Sequence, residues 1–172
     1  MAEEFKDVTE EDYIPVRTGE YLPLKHGDTF DLGGVTLEVY ECSGHTPGSM
    51  VILIKEERTL ILGDACNPFT FVFDGHSVGV TTFIRKLKCL KEETDGKYDR
   101  VYLSHREGEA PKEMVDGVIQ VCENVLAGKA DNVPFEFLGQ KAHIAKAIDP
   151  VKMQRVDGGI GNIVYDKERI YE

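Results

Sequence analysis

Three times along this sequence a short apolar run ends on a residue able to bind a metal ion. Residues 35–41 (VTLEVYE) lead to His45, residues 59–62 (TLIL) run into Gly63-Asp64, and residues 101–103 (VYL) are followed by Ser104-His105. Strand ends on one side of a sheet lie next to each other, and α/β proteins gather their ligands there. The pattern therefore calls for a sheet that delivers His45, Asp64 and His105 to a common edge.

The elements between these points are readable. Asp31-Leu32-Gly33-Gly34-Val35 predicts a strand, a two-residue turn and a strand, because Gly-Gly tolerates the positive φ of a tight hairpin. Val35, Leu37 and Val39 alternate with Thr36, Glu38 and Tyr40, which is a half-buried strand. Met50–Ile54 is continuously apolar and is expected to be buried on both faces. Residues 59–62, 101–103 and 160–165 read as further strands. Val80, Phe83, Ile84, Leu87 and Leu90 share one face of a helix that Ser77 can cap. A second helix starts at Pro111, buries Met114, Val115, Val118, Cys122 and Val125, and stops at Gly128. A third is expected over residues 140–148. The order is mixed α and β, with a hairpin-rich first half and later alternation of helices and strands.

The chain has 172 residues and a net charge of −11, with 41% hydrophobic residues. That length suits one domain with a sizeable core. The acidic balance disfavours nucleic acid and anionic membrane as partners. Residues 1–12 are acidic and expected to be disordered, leaving residues 13–172 as the folded unit. No basic or apolar leader opens the sequence, and no apolar run is long enough to span a bilayer. Cys42, Cys66, Cys89 and Cys122 show neither a zinc-knuckle nor a redox spacing, so reduced thiols in a cytoplasmic protein are expected.

Each ligand candidate also has an ordinary role. His45 sits in Ser43-Gly44-His45-Thr46-Pro47-Gly48-Ser49, a composition that makes a sharp loop around any side chain. A carboxylate such as Asp64 caps turns as readily as it binds a cation. His105 could simply end a strand. Cys66, two residues past Asp64, could serve as a soft ligand or as a small buried hydrophobe. His26, His76 and His143 read as surface or capping residues. Phe69, Phe71 and Phe73 follow Asp64 with period two, and read as a core strand or the wall of a substrate pocket. Taken together, two imidazoles and a carboxylate at consecutive strand ends suit zinc, and also iron or manganese.

This order of motifs over residues 29–166 resembles the metallo-β-lactamase superfamily, most specifically in Gly44-His45-Thr46-Pro47-Gly48. The resemblance implies that His45 binds a first metal, Asp64 bridges two metals, and His105 binds the second. Ser104 and Arg106 stand where the family surrounds that last histidine with glycines. The family's His-x-His-x-Asp-His run has no counterpart here, since His26, His76 and His143 each lack a second histidine two residues on. The expectation is thus the C-terminal part of the family domain, with the N-terminal half lying before Met1. Its fold class is α/β (α+β), a truncated αββα sandwich with a mixed sheet and helices on its outer face. The implied function is a metal-dependent hydrolase acting on a small molecule (a lactam, thioester, lactone or phosphoester) with an incomplete zinc site. The alternative is a non-catalytic relative or fragment kept for association or metal binding. A sheet without its covering half exposes apolar surface. A homodimer packed sheet to sheet, or the missing half itself, is therefore the expected partner.

Overall fold

The computed structural model describes residues 9–15, 18, 19, 21–105 and 108–172. Most of the acidic start expected to be disordered lies outside the described residues. Its described part carries a single 3-10 turn, Glu10–Asp12.

The first strand, β1 (Thr29–Asp31), turns into β2 (Thr36–Glu41). Gly33 and Gly34 take φ of 80° and 103° at this turn. The Leu32 amide donates to the Val35 carbonyl at 2.8 Å. These are the positive φ values of a twist-matched two-residue hairpin. β3 (Met50–Ile54) and β4 (Thr59–Gly63) continue the antiparallel meander. After β5 (Thr70–Val72) and helix α1 (Val80–Thr94), β6 (Arg100–Leu103) returns parallel to β4, and β7 (Glu109–Ala110) closes the edge. The resulting six-stranded mixed sheet has the order β1-β2-β3-β4-β6-β7.

Helix α2 (Met114–Leu126) leads to a second sheet made of β8 (Val133–Phe137), β9 (Gln140–Ile144) and β12 (Ile163–Tyr165), with β5 at its edge in the order β5-β12-β9-β8. A short hairpin, β10 (Ile148–Asp149) and β11 (Gln154–Arg155), intervenes.

One core holds these layers together. Val51, Leu53, Leu60, Leu62 and Val101 from the large sheet meet Phe83, Leu87 and Leu90 of α1, Val118 and Cys122 of α2, and Val72, Ile163 and Tyr165 of the small sheet. Each large side chain buried in this way stabilises the fold by roughly 1.5–3 kcal/mol. The helices therefore cover one face of the large sheet, as the patterns of both helices require. The other face carries Leu37, Ile52, Ile54 and Ile61, all half-buried, together with the buried Val39 and Thr59, and none of these belongs to either apolar core. The expectation that β3 is buried on both faces holds only on the helix side, where Val51 and Leu53 are buried.

Three local expectations are corrected. Residues 140–148 form no helix: β9 pairs antiparallel with both β8 and β12, and the alternation of Ala142 and Ile144 serves that sheet. Helix α1 is entered through Gly79 rather than Ser77. Helix α2 starts at Met114, one turn after Pro111. Among the described residues no helix is long and apolar enough to cross a membrane.

Candidate metal site

The loop carrying His45 leaves β2 and is held from several sides. The buried Ser43 hydroxyl lies 2.9 Å from Glu41 Oε1 and 2.7 Å from the Pro47 carbonyl, and Glu41 in turn pairs with Lys86 of α1 at 2.7 Å. Gly44 presses on α1 so closely that a Cβ there would sit 2.3 Å from Phe83 Cδ2. Ser77 does not cap the helix; its hydroxyl donates to the His45 carbonyl at 3.0 Å. The imidazole is fixed too. His45 Nδ1 lies 2.8 Å from the Phe71 carbonyl, which can only accept, so Nδ1 carries the proton and Nε2 keeps its lone pair.

Asp64 follows β4 just past an irregularity in the β4–β6 pairing, where Gly63 has φ of 55°. His105 follows β6. Because β4 and β6 run parallel, both side chains emerge at the same edge. Asp64 Oδ1 lies 2.8 Å from His105 Nε2. That contact is badly aligned for a hydrogen bond, and Oδ1 is solvent-shielded with no hydrogen-bond donor among the described residues. The Asp64 side chain as a whole is 42% exposed, so this one shielded oxygen costs little, and a cation would satisfy it.

His45, Asp64 and His105 all line one cavity of about 310 Å³, together with Asn67, Phe69, Phe71 and Phe137. Two imidazoles, one with a free Nε2, and an orphaned carboxylate oxygen have the donor chemistry of a zinc site. The fit is partial. Among the described residues no three His, Cys, Asp or Glu side chains are drawn together tightly enough to hold an ion. Asp64 and His105 are in contact, and His45 lines the same cavity. Arg106 lies outside the described residues.

The other candidates fall away from this site. Cys66 is fully buried in the main core, where burial pushes its thiol well above its ordinary range. It packs as a hydrophobe rather than as a ligand. His26 accepts the Glu41 amide at 3.2 Å and pairs with Glu93 at 3.4 Å, and His76 is exposed. His143 lies half-buried on β9 rather than capping an element. Two cavity residues carried no signal of their own in the sequence. Asn67 folds its loop by accepting the Phe69 amide at 2.7 Å. Phe137 arrives from the tip of the β8–β9 hairpin.

A family model described as the metallo-beta-lactamase superfamily matches residues 1–105. Among solved structures, a double mutant of the sec-alkyl sulfatase PisA1 aligns at TM-score 0.53 and 14% identity, covering 66% of this chain and 20% of that one. A metallo-beta-lactamase from Pontibacter korlensis aligns at TM-score 0.48 and 20% identity, over 57% of this chain and 46% of its own. A metallo-beta-lactamase family protein from Thermus thermophilus gives TM-score 0.45 and 25% identity, over 64% and 35%. The chain thus spans less than half the length of each of these structures. No curated protein sequence matches it. With the family model covering more than half of the sequence, the chain belongs to the metallo-β-lactamase superfamily.

Proposed function

We propose that this chain supplies part of the metal site of a metal-dependent hydrolase, with His45, Asp64 and His105 as ligands and zinc as the metal. The observation that carries the reading is the shared cavity: three strand ends bring these side chains to one space, and Asp64 Oδ1 is buried there without a donor. A zinc ion held there would act as a Lewis acid and lower the pKa of water to about 7. The chain's own residues do the positioning. The Phe71 carbonyl fixes the His45 tautomer, the Ser77 hydroxyl fixes its backbone, and the parallel β4–β6 pair keeps Asp64 and His105 adjacent.

A second reading rests on a specific observation as well. The sequence has no His-x-His-x-Asp-His run, and no three-ligand group is assembled among the described residues. A catalytic zinc takes about three protein ligands plus water. On that reading the chain binds metal, or associates with a partner, without turnover by itself.

Elemental analysis after incubation with zinc tests the first reading. The expected result is about one zinc per chain in the wild type, lost in the triple variant His45→Ala, Asp64→Ala, His105→Ala. Equal, negligible zinc in both proteins overturns it. Turnover of ester or thioester substrates by the zinc-loaded chain separates the two readings.

A further inference from the structure

We infer that the site accepts an acyl derivative bearing an aromatic or compact alkyl group, and that Phe137 is a specificity-determining residue for it. The chemistry of this inference rests on the metal-hydrolase reading above; the apolar recognition stands on separate observations.

The first observation is the make-up of the cavity. Its lining joins the polar His45, Asp64, Asn67 and His105 with the rings of Phe69, Phe71 and Phe137. These rings form a connected array. Phe71 sits 5.7 Å from Phe69 and 5.4 Å from Phe137, both edge to face. Phe135 stacks parallel to Phe137 at 6.5 Å. Edge-to-face packing holds rings in fixed orientations, so the wall is pre-organised. It is also coupled to the metal side, because the Phe71 carbonyl is the acceptor for His45 Nδ1.

The second observation is the hairpin tip. Phe137 pairs with Gln140, so Leu138-Gly139 is a two-residue turn with φ of 50° and 79°. Such turns favour Asn-Gly, and a leucine with positive φ is strained. Leu138 is 88% exposed and Phe137 45% exposed. Leu138 is strained and almost wholly in water, so it has no stabilising role in the fold, while Phe137 holds its place by packing on Phe71 and Phe135. Strain of this kind gathers at ligand sites.

The third observation is size. An apolar cavity of roughly 150 Å³ takes up benzene, so about 310 Å³ holds a ring and the adjoining scissile group.

The test uses product-like acids. Phenylacetate and acetate are titrated into the chain by NMR, with and without zinc, and contacts from the phenyl ring to Phe69, Phe71 and Phe137 are recorded. Phenylacetate is expected to bind at least tenfold more tightly than acetate in both arms. Phe137→Ala is expected to cut this preference below threefold while leaving zinc content unchanged. Phe137 is exposed enough for that variant to fold, and Leu138→Asn, which relaxes the turn, checks the tip independently by retaining the fold with altered preference. Equal binding of the two acids, or ring contacts elsewhere on the chain, overturns the inference. If zinc strengthens neither acid while the ring preference persists, the metal reading fails and the aromatic site stands.

Discussion

Asp64 Oδ1 and His105 Nε2 face each other at 2.8 Å across the ends of two parallel strands. Both side chains are well exposed, at 42% and 69%. Without metal such a pair is worth no more than about 1 kcal/mol. Asp64→Asn is therefore expected to move the chelated protein's stability by less than about 1 kcal/mol. Zinc at a hundredfold excess over its Kd should stabilise the wild type by about 2.7 kcal/mol, and Asp64→Asn should abolish that gain. Thermal unfolding with and without zinc measures both effects; an equal zinc response in the variant would remove Asp64 from the ligand set.

Gly44 packs against α1 so tightly that a Cβ would overlap the fully buried Phe83 ring. The ring has no solvent to move into, so Gly44→Ala must displace either the helix or the His45 loop. Overpacking of this kind costs about 1–3 kcal/mol. Urea unfolding is expected to show a lower midpoint with an unchanged slope. Gly48→Ala, with open space around it, should be close to neutral.

Much of this was legible because it is local. The strands β2, β3, β4 and β6 announce themselves by period and length, and each ligand candidate follows its strand within a few residues. Residues 140–148 misled because Ala142, Ile144, Ala145 and Ile148 satisfy helical spacing about as well as strand alternation. The choice was made by β8 and β12, which pair with β9 from either side. Ser77 reads as a helix cap, yet its hydroxyl reaches back to the His45 carbonyl, a long-range contact that no local pattern encodes. Phe137 was hidden for the same reason. Only the pairing of the small sheet brings that hairpin tip over the cavity.

The four cysteines divide sharply. Cys42, Cys66 and Cys122 are buried while Cys89 is exposed. Burial pushes the Cys42 and Cys122 thiols up to about 12 and raises Cys66 well above its usual range. Thiolate is the reactive form, so native protein should alkylate quickly at Cys89 alone, and all four should react in denaturant. Mass spectrometry after a short iodoacetamide pulse reads this directly, and rapid labelling of Cys66 would contradict its place in the core.

His143 introduces a pH dependence. Burial, then the nearby positive charge of Lys167, lowers its pKa below the ordinary histidine value. Its Nδ1 is buried with no partner among the described residues. A depressed histidine pKa means that the unfolded chain binds the proton more readily than the folded one. The stabilising contribution is therefore complete above the unfolded pKa, near 6.5, and is lost as pH falls towards the folded value. Melting temperature is expected to drop between neutral and mildly acidic pH. In His143→Gln the drop should be smaller; equal slopes would mean the other histidines account for it.

The face of the large sheet away from the helices leads to a prediction about assembly. Ile52 and Ile61 are direct cross-strand partners on β3 and β4. Leu37 and Ile54 pair beside them, and Phe30, the partner of Leu37 on β1, is 43% exposed. A contiguous apolar strip of this kind favours a partner surface. Two copies can cover each other's strips about a two-fold axis. The net charge of −11 opposes that approach at long range, and salt screens it. Sedimentation at micromolar concentration is therefore expected to show a dimer that strengthens as ionic strength rises. Ile61→Glu places a charge at the centre of the strip and should yield a folded monomer. A wild-type chain that stays monomeric at high salt would mean that this face is not a self-association surface.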